Sequence, residues 1–153
     1  MSKSARAREI TITRVFDASR ELVWDAWTKP EQLAGWWGKR GWTTPPSTVT
    51  MDVRPGGAFR LNSVSDQDGT EMPLEAVYRE VVEPERLVFA RTDLPAGALA
   101  VVTFRDLGDG RTEMVFHTTI EASDQIRRAA AGGLASAFDR LAEQISELQR
   151  SHP

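Results

Sequence analysis

The chain of 153 residues contains no cysteine, two histidines and one tyrosine. Without cysteine there is no disulfide, no thiolate nucleophile and no Cys-ligated zinc or iron–sulfur site, a composition suited to a reducing compartment. His117 and the penultimate His152 cannot build a multi-histidine metal centre, and a Ser-His-Asp arrangement would have to rest on His117, a strand residue. No apolar run approaches the ~20 residues that cross a bilayer, and MSKSARAREI lacks the apolar stretch of a secretory signal. No membrane span and a cytoplasmic location are therefore expected. Positive charge is not in excess either: 19 Lys+Arg against 22 Asp+Glu leave a net charge of -3, which argues against a nucleic-acid partner. The nucleotide, zinc-protease, serine-hydrolase and dinucleotide motifs are all missing. Ser65-Asp66-Gln67-Asp68-Gly69 lacks the third acidic position and the closing Glu of a calcium loop, and reads as a hairpin turn. No metal and no cofactor are expected.

What is present suits one soluble domain, placed at residues 8–150 behind a flexible N-terminus at 1–7. Ile10, Ile12 and Phe16 alternate as in a strand. Ser19 is a candidate N-cap for a short helix through Trp27, and Thr28 with Glu31 reads as a capping box for a second, running from Pro30 to about Trp37. Strand-like runs follow at Val49 to Arg54, from Phe59 to Ser63, at Met72 to Val82, at Arg86 to Arg91, at Leu99 to Leu107 and at Thr112 to Ile120. Asp68-Gly69 and Asp109-Gly110 between alternating runs are hairpin signals, so the middle of the chain reads as an antiparallel meander. Ser123 caps a long helix to about Gln149, with a stripe of Ile126, Ala130, Leu134, Phe138, Leu141, Ile145 and Leu148 and with Arg140 and Glu143 outside it. This is an α+β class: about seven strands covered by the one helix long enough to lie across them.

Two features need a cause. Trp24, Trp27, Trp36, Trp37 and Trp42 crowd into one short stretch. Aromatics at helical spacing usually fill a core, yet apolar walls with few polar groups also make small-molecule pockets. The second feature is Ala129 to Ala137, with Gly132 and Gly133 inside a helix at a cost of about 1 kcal/mol each relative to alanine. Either another element approaches closely there or a gap remains between helix and sheet, bounded by Phe59, Leu61, Tyr78, Phe89, Phe104 and Phe116 if those faces turn inward. If Tyr78 points inward on a regular strand, so does Glu80, and a buried carboxylate would need a partner; Arg91, on the Leu87/Phe89 side of its strand, could supply it.

The segments RVFDASRELVWDAWTKPEQLAGWWGKRGWTTP, VRPGGAFRL, DGTEMPLEAVYREVVEPERLVFA, VTFRDLGDGRTEM and GGLASAFDRLAEQI resemble, in order and spacing, the heat-shock-protein-90 ATPase activator-like proteins. These belong to the START-like, birch-pollen-allergen-like (SRPBCC) superfamily. The resemblance runs from about Ile10 to Leu148 and implies a helix-grip fold, a curved antiparallel sheet wrapped on a C-terminal helix around a hydrophobic cavity. Leu134 and Phe138 depart from the family's usual tryptophan and leucine at those places. The aromatic density and the glycine–alanine run point to a binder of a small lipophilic molecule between the long helix and the sheet, with a stress-related or regulatory role. The expected contacts are Trp27, Trp36, Trp37, Phe59, Leu61, Tyr78, Glu80, Phe89, Arg91, Phe104, Phe116, Gly133, Leu134 and Phe138. The alternatives are a cyclase or dehydratase of the polyketide type, using Glu80, Tyr78 or Arg91 for acid–base or oxyanion roles, and a co-chaperone or regulator-interacting protein. A chaperone partner is not expected; a homodimer through a sheet edge or the Trp42 loop is a further alternative.

Overall fold

A computed structural model describes residues 9–93, 98–120 and 122–151; the N-terminal segment expected to be flexible lies outside them. Strand β1 (Glu9–Phe16) leads to helix α1 (Arg20–Thr28), which Ser19 caps by accepting a hydrogen bond from the Leu22 N–H at 3.2 Å. The capping box expected at Thr28 does not form. Thr28 is the last residue of α1 and turns its hydroxyl back onto the Trp24 carbonyl at 2.9 Å, so Lys29 precedes α2 (Pro30–Ala34) without a side-chain cap. Helix α2 stops at Ala34 rather than near Trp37, and the chain from Gly35 to Gly41 runs on as turns.

Two short strands, β2 (Trp42–Thr43) and β3 (Thr50–Met51), flank a 3-10 turn at Pro46–Thr48. The strand expected from Val49 to Arg54 shrinks to β3 because the chain folds back on itself: the Asp52 N–H bonds the Ala58 carbonyl at 2.9 Å and the Arg54 N–H bonds the Asp52 carbonyl at 2.8 Å. Then come β4 (Ala58–Ser65), β5 (Glu71–Val82), β6 (Arg86–Arg91), β7 (Leu99–Asp106), β8 (Thr112–Thr119) and the long helix α3 (Asp124–Ser151). The sheet is antiparallel in the order β1-β8-β7-β6-β5-β4-β2, with β3 also on β4. Both Asp-Gly hairpins are present, with Gly69 at φ 75° and Gly110 at φ 84°, where glycine avoids the Cβ clash of the left-handed region.

Inward positions of the strands and one stripe of α3 share a core. Phe138, Leu141 and Ile145, in the C-terminal half of α3, are buried in this core, where α3 contacts α1 and β1. Trp27 sits at its centre, with ring centroids 4.8 Å from Trp36, 6.1 Å from Phe138 and 6.3 Å from Phe116. The indole N–H groups of Trp27 and Trp36 both have acceptors, Met114 Sδ at 3.3 Å and the Ala26 carbonyl at 2.9 Å. One end of the sheet is thus filled solidly. Among the described residues no helix is long and apolar enough to cross a membrane.

Candidate functional site

The other end is not filled. Along its N-terminal half α3 faces the sheet with Ala129, Ala130, Gly133, Leu134 and Ala137, and a pocket of about 420 Å³ opens beneath it. A Cβ built on Gly133, or on the neighbouring Gly132, meets nothing within 4 Å, so these glycines accommodate no close approach of another element; they leave space. The facing wall comes from strand ends that antiparallel pairing gathers at one edge: Ile10 of β1, Leu74 of β5, Phe89 and Arg91 of β6, Ala100 of β7, Phe116 and Thr118 of β8. Trp36, Phe116, Leu74 and Ala100 are buried and form the floor. Met72 of β5 and Ile126 of α3, 56% and 59% exposed, mark its rim.

The third wall is the segment from Trp36 to Trp42, which carries no regular structure until β2 and is held by one face of α3. Ser136, Arg140, Glu143 and Gln144 recur at i, i+4, i+7 and i+8, a single helix face. The Ser136 hydroxyl accepts the Arg40 N–H at 3.0 Å, Glu143 pairs with the Arg40 guanidinium, and Gln144 Nε2 donates to the Gln32 carbonyl at 2.8 Å. Arg140 Nη1 donates to the carbonyls of Gly38 at 2.7 Å, Trp42 at 3.2 Å and Trp37 at 3.3 Å. Burial, then the nearby Arg40 charge, lowers the pKa of Arg140 from the ordinary arginine value, while Asp66 and Glu143 oppose the shift. The hydrogen bond from Arg40 holds the Glu143 carboxyl below its usual range.

Of the side chains expected at the site, Trp36, Trp37, Phe89, Arg91, Phe116, Gly133 and Leu134 line this pocket. Trp27, Phe59, Leu61, Tyr78, Phe104 and Phe138 are buried in the packed core and are not part of the lining. Tyr78 stacks on Phe59 at 5.5 Å, and its hydroxyl has no hydrogen-bond partner among the described residues. Burial pushes its phenol pKa far up.

Glu80 is corrected outright. The register of β5 against β6 shifts between Tyr78 and Glu80, so the two side chains leave on opposite faces; Tyr78 is buried while Glu80 lies outside and pairs with Arg86 at 2.7 Å. Arg91 consequently has a different partner from the one expected. Asp93 takes its Nε at 2.8 Å and Nη2 at 2.9 Å, and that bidentate bond holds the Asp93 carboxyl below its usual range.

Sequence reasoning missed Ile10, Lys39, Trp42, Ser63, Met72, Leu74, Ala100, Thr118, Ile120 and Ile126 in the lining. Ser63 carried a signal, since it alternates with Phe59 and Leu61; it is buried, with its hydroxyl 2.8 Å from that of Thr44. Among the described residues Lys39 and Arg91 are the only ionisable side chains of the pocket, and no cluster of His, Asp and Glu suited to a metal ion occurs.

The architecture is shared by solved structures from several bacteria. A protein from Arthrobacter aurescens is 24% identical with a TM-score of 0.80, over 94% of this chain and 88% of that one. A protein from Nitrosomonas europaea is 22% identical with a TM-score of 0.78, over 94% and 97% of the two chains. An AHSA1-like protein from Aeromonas hydrophila is 22% identical with a TM-score of 0.78, over 95% and 96%. At such identities these likenesses establish the fold. No curated protein matches the chain. The pattern of the family described as "Activator of Hsp90 ATPase homolog 1-like protein" matches residues 17–146, nearly the whole of the described fold, and the chain belongs to that family.

Proposed function

We propose that the protein binds a small hydrophobic molecule in the pocket between α3 and the sheet. The observation that carries this reading is the open space at Gly133, opposite a wall of Phe89, Phe116 and Leu74. A helix whose inward face shrinks to alanine and glycine over the same stretch where the strands carry aromatic rings leaves apolar surface uncovered, at about 25 cal/mol per Å². A guest that covers it recovers that free energy. The pocket's volume of about 420 Å³ falls in the range of roughly 300–1,000 Å³ typical of small-molecule sites. The cyclase or dehydratase alternative has less support, because Glu80 lies outside and Tyr78 is in the core, leaving the described lining residues without an acid–base pair.

The test is Gly133→Leu. Its side chain would enter the space the guest needs, while leucine is a better helix former than glycine by about 0.8 kcal/mol. Uptake of the neutral fluorescent probe N-phenyl-1-naphthylamine should be abolished with the melting temperature unchanged or raised by about 2–4 °C. Unchanged uptake by the variant would refute the reading.

A further inference from the structure

Among the described residues the pocket has ionisable side chains of one sign. Lys39 and Arg91 are both cations, and the rest of the lining is apolar apart from glycine and the hydroxyls of Ser63 and Thr118. This occurs in a chain whose 22 acidic residues outnumber its 19 basic ones. Lys39 is exposed at the rim, its ammonium 5.8 Å from the centroid of the Trp42 ring, and it has no ion-pair partner among the described residues. Arg91 is oriented rather than consumed by Asp93. The carboxylate takes Nε and Nη2, and Nη1 makes no hydrogen bond to a described residue. Behind the backbone of Gly38 lies a third cation, since a Cβ there would stand 4.0 Å from Arg140 Nη1, and the hydrogen-bond partners of Arg140 are all carbonyls. Asp93 matches the charge of Arg91, and Asp66 and Glu143 stand near Arg140, so the charge left unmatched by a described residue is that of Lys39, with the Nη1 donor of Arg91 on the same pocket; together they favour negative charge at the mouth and disfavour a cation there.

Resting on the binding reading above, we infer that the guest is an amphipathic anion. Its apolar body lies against Phe89, Phe116 and Leu134, and its single acidic head group, a carboxylate or a phosphate, sits at the rim beside Lys39 and the free edge of Arg91. Each component has its own place. The exposed apolar rim residues Met72 and Ile126 extend the body's track outward, and the cations stand where solvent still reaches a charged head.

The experiment uses the full chain loaded with N-phenyl-1-naphthylamine and displaces the probe with decanoate, decyl phosphate, 1-decanol and decyltrimethylammonium. The expected order is anion first: decanoate, decyl phosphate or both displace the probe at about one tenth of the 1-decanol concentration, and the cation is weakest. Displacement by decanoate alone identifies a carboxylate head, and by decyl phosphate alone a phosphate head. In Lys39→Gln, an exposed substitution that leaves the core intact, the ratio of anion to 1-decanol potency should fall to within about threefold, and 1 M salt should reduce it likewise in the unaltered protein. Equal potency of the anions and 1-decanol on a protein that takes up the probe would overturn the charge inference and leave the pocket reading standing. Failure to take up the probe would overturn both.

Discussion

Arg140 joins two parts of the molecule by satisfying backbone rather than charge. Its guanidinium sits among the carbonyls of Gly35, Trp37, Gly38, Lys39 and Trp42, five acceptors of a segment that belongs to no strand before Trp42. Replacement by methionine keeps an unbranched apolar stem and removes the donors. Arg140→Met should therefore cost about 1.5–3 kcal/mol, the range for hydrogen bonds to a charged group, as read from a urea transition. The same variant should speed amide hydrogen exchange from Gly35 to Trp42, because the pocket's third wall loses its anchor. Unchanged exchange would mean that the packing of Trp36 and Trp37 and the Ser136 and Glu143 contacts to Arg40 hold the segment without Arg140. In the sequence Arg140 is legible only as a polar residue outside the apolar stripe. Its partners lie about a hundred positions away, and spacing within one helix carries no trace of them.

Helix α3 is two devices in one element. From Phe138 onward it supplies bulk to the core, and before that it withholds bulk from the pocket. Gly132, at the end of the thin half, is exposed, and a Cβ there meets nothing within 4 Å. Gly132→Ala should stabilise the protein by about 0.8–1 kcal/mol through helix propensity alone. The same exchange at Gly57 should do the reverse. A Cβ there would fall 1.9 Å from the Asp52 carbonyl oxygen, backbone that cannot swing away, so Gly57→Ala should cost more than about 2 kcal/mol in the same measurement. These two glycines look alike as letters. What separates them is the turn that brings Asp52 back onto Gly57, the same turn that cut the expected strand at Val49 to Arg54 down to two residues. Long elements with a clear period, β1, β4 to β8, α1 and α3, were legible because each repeats its signal over several residues. Short elements and the Tyr78/Glu80 bulge were not, since a single hydrogen bond to a distant strand decides them.

For the molecule as a whole, the sequence separates poorly the aromatic that fills from the aromatic that lines. Trp27, Phe104 and Phe138 interlock across α1, β7 and α3, whereas Phe89 and Phe116 pack against that core and also border the pocket under the thin stretch of α3. The alanine–glycine run made the space legible, but the strand ends that border it follow from how the antiparallel strands align. Tyr78 belongs to the filled part and offers a probe of its integrity. It is the chain's one tyrosine, so phenolate absorbance follows it alone, and burial raises its pKa well above 10. Above pH 10 the unfolded chain releases this proton while the folded chain keeps it. The unfolded state then binds fewer protons, and stability declines as pH rises, approaching about 1.4 kcal/mol per pH unit from this group until the folded phenol itself ionises. Tyr78→Phe abolishes that slope. It also removes a buried hydroxyl that has no partner among the described residues, so at neutral pH the variant should be more stable by up to about 1–3 kcal/mol. A phenolate signal rising near pH 10 in the folded protein, with no difference in alkaline stability between the two proteins, would mean that solvent reaches the Phe59–Tyr78 stack and that the filled end is more open than its packing indicates.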